Sequence, residues 1–153
     1  VAKTLLELIN ELSNKPPLEL VSVASPGEPN VERICLKTNQ RVALREYLVL
    51  VGFKLPEMTG AIPINDFCFW LGNDVLDPGC WILLYTGPGE KFFTKTRESN
   101  EPALVLHWGR THTVFTSNGI VPCLLRIDMS SLQIGKSLPN QLPPVPPPPP
   151  WMK

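Results

Sequence analysis

Three aspartates, Asp66, Asp74 and Asp77, crowd into "NDFCFWLGNDVLDPG", the densest group of potential ligand or acid–base side chains in the chain. Carboxylates so placed could hold a divalent ion or share a proton. Their spacing is not the D-x-D-x-D-G of a calcium loop, however, and aspartate is an ordinary turn residue. The only histidines, His107 and His112, are five residues apart and would point to opposite faces of a straight strand, so they form no shared metal site. Cys35, Cys68, Cys80 and Cys123 stand apart with no C-x-x-C pair, which removes the usual zinc and redox spacings. "TGPGEKFF" resembles a phosphate-cradling loop only in Gly87, Gly89 and Lys91; no Gly-Lys pair, hydroxyl residue or helical pattern follows. No G-x-S-x-G occurs, and Ser117 sits in a polar turn context. These residues point to a non-enzymatic protein without a metal or cofactor, with a weak metal-dependent hydrolase using the acidic loop residues as the enzymatic alternative.

The elements that carry these residues are those of one domain. The 153 residues are 43% hydrophobic and 18% charged, enough for a single packed core. Fourteen basic residues balance fourteen acidic ones, so no global field draws in nucleic acid or anionic lipid. The longest apolar run, "YLVLVGF", is strand length and does not span a bilayer. The N-terminal pattern has acidic residues inside it and no small-residue cleavage site, unlike a secretory signal. Buried reduced thiols are the commoner reading of the four cysteines, and with them a cytoplasmic location.

Residues 1–15 read as an amphipathic helix: Leu5, Leu8, Ile9 and Leu12 follow the i, i+3, i+4, i+7 stripe, Thr4 and Glu7 have capping-box spacing, and "KPP" ends it. Such a helix covers an end of the main core, or serves as a dimerisation or partner-docking element. From residue 18 the period changes to short apolar and branched stretches between Gly, Pro, Asn and Asp clusters, an all-β pattern. The expected strands are "LELVSVA", "VERICLKT", "YLVLVGFKL", "DFCFWLG", "CWILLYTG", "ALVLHWG", "THTVFT" and "VPCLLRID". Alternation puts Ile34 and Leu36 in the core and Arg33, Cys35 and Lys37 on the other face. In the last strand it puts Val121, Cys123, Leu125 and Ile127 inward and Arg126 outward. "DPG" reads as a tight turn launching "WILLY", and "GPG" as the place where the chain leaves the sheet. Of the neighbours Phe92 and Phe93, one must face outward if they lie on a strand.

Residues 137–153 are proline-rich, with five consecutive prolines from Pro146 before Trp151, and cannot join a ladder. They form a polyproline rod or an extension, in which Pro146, Pro148 and Trp151 would engage a polyproline-reading domain.

"LDPGCWILLYTGPGE", then "ALVLHWGR", then "HTVFTSNGIVPCLLRID" resemble in order the lamin tail domain family in its bacterial form, and "NVERICLKTNQRVALREYLVLVGFKL" is similar to that family's opening strand pair. The resemblance covers residues 20–128. It departs at "LREYLVLVG" and "FTSNGI", where the family has a Leu-Ser-Gly-Trp type sequence and an Asn-Asn-Asp-Gly type turn. It implies an immunoglobulin-like antiparallel β-sandwich over 18–136, serving as a binding appendage. The expected function is therefore an interaction module that binds a protein partner or self-associates, through Leu5, Leu8 and Leu12 of the helix, Phe92 and Phe93, or Pro146, Pro148 and Trp151 of the tail.

Overall fold

The computed structural model describes residues 2–128, apart from the side chains of Leu12 and Ser13. One helix, α1 (Leu5–Asn14), precedes β1 (Leu18–Ala24), β2 (Arg33–Thr38), β3 (Val42–Ala43), a 3-10 turn (Leu44–Glu46), β4 (Tyr47–Phe53), β5 (Ile62–Trp70), β6 (Val75–Leu76), β7 (Trp81–Tyr85), β8 (Phe92–Lys95), β9 (Pro102–His107) and β10 (Ile120–Arg126). The described chain is thus all-β with one short helix.

A five-stranded sheet runs β1-β2-β7-β9-β8, a three-stranded sheet runs β10-β4-β5, and β3 pairs with β6 in a short ladder. Ile34, Leu36, Ile82, Leu84 and Leu104 from the first sheet meet Tyr47, Val49 and Val51 from the second, all buried in one sandwich-like core. Phe67, Phe69, Trp108 and Leu124 pack against it. Each fully buried aliphatic side chain contributes about 1.5–3 kcal/mol, so this interlayer core dominates the fold. Ile34 and Leu36 are fully buried, as alternation predicts.

The expectation of a purely antiparallel sandwich is corrected at β7 and β9, which pair in parallel, Trp81 beside Ala103 and Tyr85 beside His107. The reason lies in the connection: β8 runs antiparallel to β9 on its far side, so β9 comes back in the direction of β7.

"THTVFT" is not a strand. The amides of Val114 and Phe115 donate to the carboxylate of Glu32, at 2.6 and 3.0 Å, instead of to a ladder. "DPG" is the tight turn expected: Gly79 adopts φ +82 and its amide donates to Thr38 O at 2.8 Å. After "GPG" the next element is β8, not a helix, so the phosphate-loop reading has no helix N-terminus to rest on.

Candidate interaction surface

The helix forms where its cap dictates. The Glu7 amide donates to Thr4 Oγ1 at 3.3 Å, and the Thr4 amide donates to Glu7 Oε2 at 2.9 Å, satisfying two otherwise orphaned donors. It ends at Lys15, held extended (φ −73, ψ 135) as a residue before proline must be. Leu5 and Leu6 are 75% and 69% exposed, and Leu8 and Ile9 nearly half exposed. These side chains therefore do not cover the core. The segment behind it is pinned: Asn39 Nδ2 donates to Pro16 O at 2.9 Å and the Asn39 amide to Pro17 O at 2.8 Å.

Phe92 and Phe93 lie on β8, an edge strand of the five-stranded sheet among the described residues. Both are exposed, Phe93 by 61%, whereas alternation on a covered strand would bury one. Phe93 shares the register of buried Leu104, yet an edge strand of a five-stranded layer overhangs the three-stranded layer opposite. The structure does not bring the two groups of expected contact residues together: α1 adjoins β1, and the width of the sheet separates β1 from β8.

A third apolar surface was not expected. Register fixes which way β10 faces, because residues opposite one another in a ladder share a face. Leu124 opposes buried Val49, and Pro122 opposes buried Val51, so these point inward. Cys123, Leu125 and Val121 oppose Leu50, Leu48 and Gly52 on the outer side. This inverts the expected assignment of "VPCLLRID", and Cys123 faces away from the core. The run is apolar on both faces, so alternation alone had nothing to choose by. Across β4, Trp70 opposes Leu48 and Cys68 opposes Leu50. The outer face of the three-stranded sheet thus carries Leu48, Leu50, Trp70, Val121, Leu125 and two thiols, with Trp70 48% and Leu125 43% exposed. Trp70 is oriented by its indole N–H, which donates to Arg45 O at 3.1 Å.

Several charged groups are engaged in structure. Glu32 is 1% exposed, and its carboxylate accepts from the amides of Gly27, Val114 and Phe115 and from Thr86 Oγ1 at 2.8 Å. Burial pushes its pKa up, and those four hydrogen bonds outweigh burial and hold it below the usual carboxylate range. It ties the β1–β2 turn, the end of β7 and the chain before β10 together. Glu101 is held down to about 2 by the Trp81 indole, the Ser99 hydroxyl and Lys37. Burial raises the pKa of Tyr47 and of Cys80, which leaves Cys80 a poor nucleophile.

Asp74 pairs with Lys91, Asp77 pairs with Arg41 at 2.7 Å, and Asp66 (φ +64) offers its carbonyl to Arg110 at 3.1 Å. Each of these aspartates is thereby given a different basic neighbour. Among the described residues no group of three or more His, Cys, Asp or Glu side chains could hold a metal ion. His107 stacks on Tyr85 and its Nδ1 lies 2.9 Å from Glu90 O, while His112 bonds Thr111 in an open cleft of about 450 Å3 also lined by Asn30 and Arg110. The Arg110 guanidinium lies 3.8 Å over the Phe67 ring and ties the loop after β9 to β5. All four cysteines are free.

The Leu12 side chain, Pro146, Pro148 and Trp151 lie outside the described residues. No helix among those described is long and apolar enough to cross a membrane. No family model, curated protein or solved structure matches the chain.

Proposed function

We propose that the chain is a non-enzymatic interaction module, an immunoglobulin-like sandwich of the lamin tail kind, that binds a protein partner or self-associates. The observation that carries this reading is α1: a capped helix of ten residues whose described apolar side chains are all exposed. Isolated helices shorter than about 12–15 residues are marginal in water and draw their stability from packing of an apolar face. A helix held out from the core on a pinned Pro-Pro segment is therefore built to be completed by something else. The family reading rests on the sequence resemblance; the two packed layers of strands agree with a β-rich sandwich, and the parallel β7–β9 pair departs from the antiparallel form. Free thiols support a cytoplasmic location.

The test is amide hydrogen exchange of α1 in the intact chain, measured alone over a range of concentrations and again with extract of the source cells. Protection of α1 under either condition, lost in the Leu5→Lys, Leu8→Lys double variant, supports the module. Free-chain exchange under both conditions refutes it, as does turnover of a substrate that is abolished by Asp74→Asn.

A further inference from the structure

We propose that the cleft between the β1–β2 turn, the loop after β7 and the loop after β9 is a binding site for a small organic anion, with Arg110 and His112 receiving its phosphate or carboxylate group. The site is separate from α1 and does not depend on the interaction reading above.

The cleft has the size and the charge for such a ligand. Its volume is about 450 Å3, within the roughly 300–1,000 Å3 of small-molecule sites. An adjoining depression of about 330 Å3 shares Arg110 and His112 and reaches Phe67. Among the described residues those two are the only ionisable side chains that line either space. Glu32, which bonds the lining residue Thr86, is 1% exposed and has both oxygens taken by four donors, so no free oxygen of that carboxylate competes with a ligand.

Arg110 is arranged to bind as well as to pack. Ring stacking occupies the flat face of its guanidinium, 3.8 Å from the Phe67 centroid and 5.7 Å from that of Trp108, and leaves the N–H groups around the edge. One of those donors goes to Asp66 O at 3.1 Å. Among the described residues no carboxylate pairs with Arg110, in contrast to Lys37, Arg41, Lys91 and Arg126. A stacked guanidinium without an ion-pair partner is suited to take an oxyanion through two parallel N–H donors. Beside it, Thr111 Oγ1 lies 2.9 Å from His112 Nδ1. With that hydroxyl donating to Nδ1, the ring proton sits on Nε2, a further donor at an exposed position.

The three walls are held in place before any ligand arrives. The Glu32 carboxylate accepts from Gly27 in the first wall, Thr86 in the second, and Val114 and Phe115 in the third. The Gly109 and Arg110 amides then join the third wall to the second, donating to Gly87 O at 3.0 Å and Thr86 O at 2.8 Å. Preformed walls spare a ligand the entropy of ordering them. Pro29 and Pro88, with fixed φ, supply rigid apolar surface for the body of the ligand.

The test is a titration of the full chain followed by NMR of its backbone amides and arginine side chains, with inorganic phosphate, with succinate, and with sodium chloride at matched ionic strength. Phosphate or succinate is expected to give saturable shifts at Asn30, Gly87 and residues 109–113 that chloride does not give. Arg110→Gln should weaken saturation at least about tenfold. Because that variant also loses the stack on Phe67, His112→Gln at its exposed position is the second one, expected to weaken saturation with an unchanged melting temperature. Saturation by phosphate alone supports the site and assigns it phosphorylated ligands, by succinate alone carboxylates, and by both the oxyanion chemistry they share. Shifts that stay linear, that chloride reproduces, or that survive both substitutions overturn the site.

Discussion

Replacing Glu32 by glutamine tests the tie between three loops by removing a charge while keeping the shape. The carboxylate takes four donors, two on each oxygen: Thr86 Oγ1 and the Val114 amide on Oε1, the Gly27 and Phe115 amides on Oε2. Glutamine can satisfy the Gly27 and Phe115 amides with its carbonyl; its NH2 then donates to the Thr86 hydroxyl, which can turn to accept, and meets the Val114 amide donor against donor. The remaining bonds lose their charge assistance and one buried amide is left unsatisfied, so Glu32→Gln should cost about 2–3 kcal/mol at pH 7. Against a usual domain stability of about 5–15 kcal/mol that leaves a foldable protein. Urea unfolding followed by tryptophan fluorescence measures it. The pH dependence has a definite sign. The folded carboxyl titrates below its unfolded value of about 4.3, so its contribution is complete above that value and disappears as pH falls through the folded pKa. The gap between wild type and Glu32→Gln should therefore be constant from neutrality to about pH 5 and narrow below about pH 4. Glu101 is present in both proteins and cancels. A cost under about 1 kcal/mol, or a gap that ignores acid, refutes the charge-assisted tie.

Three further substitutions probe separate parts of the fold. Gly52→Ala would place a Cβ 2.8 Å from the Ala61 Cβ and 3.0 Å from Ile62 O, and should cost about 1–3 kcal/mol by thermal melting, while Gly60→Ala, with nothing within 4 Å, should leave the melt nearly unchanged. Equal effects would mean the β4–β5 register is different. Trp81→Phe removes the indole donor that does most to hold Glu101 down to about 2, and carbon NMR titration of that carboxyl should show the pKa rise toward the ordinary glutamate range; no rise would assign the depression to Ser99 and Lys37. Thr38→Val removes the hydroxyl that donates to Asp77 O at 2.7 Å and accepts from the Cys80 amide at 2.9 Å, and should lose about 1–3 kcal/mol in urea unfolding, with Thr38→Ser recovering most of it.

Local chemistry made the helix and the turn legible. Thr4 and Glu7 define the start of α1 by hydrogen bonds three residues apart, and Gly79 supplies the positive φ that the "DPG" turn requires. Alternation worked for β2, where polar and apolar residues take turns. It failed for β10, where apolar side chains occupy both faces and only pairing with β4 fixes the orientation. It failed differently at "THTVFT", because Glu32, 82 residues from Val114 in sequence, claims the amides a strand would use. The two-residue β3–β6 ladder is too short to show a period. The exposed stripe through Leu5 and Leu8 was readable from helical spacing, whereas Trp70, Leu48 and Leu125 became a surface only once three separated strands were laid side by side.

The two sheets differ in how they finish their outer faces, and that difference narrows where a partner can bind. On the five-stranded sheet Arg33 lies over Tyr85, which stacks on His107, and Lys37 lies over Trp81, whose indole bonds Glu101 at 2.6 Å. These cation–aromatic rows shield Cys35, Ala103 and Val105, all buried although they point away from the core. That face completes itself with its own charged side chains. Among the described residues the three-stranded sheet has no such rows between Trp70 and Leu125, only aliphatic, aromatic and thiol groups on adjacent strands. An apolar partner gains by covering it and displaces no ion pair in doing so. The same partner on the five-stranded sheet would first have to strip two cations from their aromatic rings. The hydrophobic effect therefore favours β10-β4-β5 over the five-stranded sheet for an apolar segment.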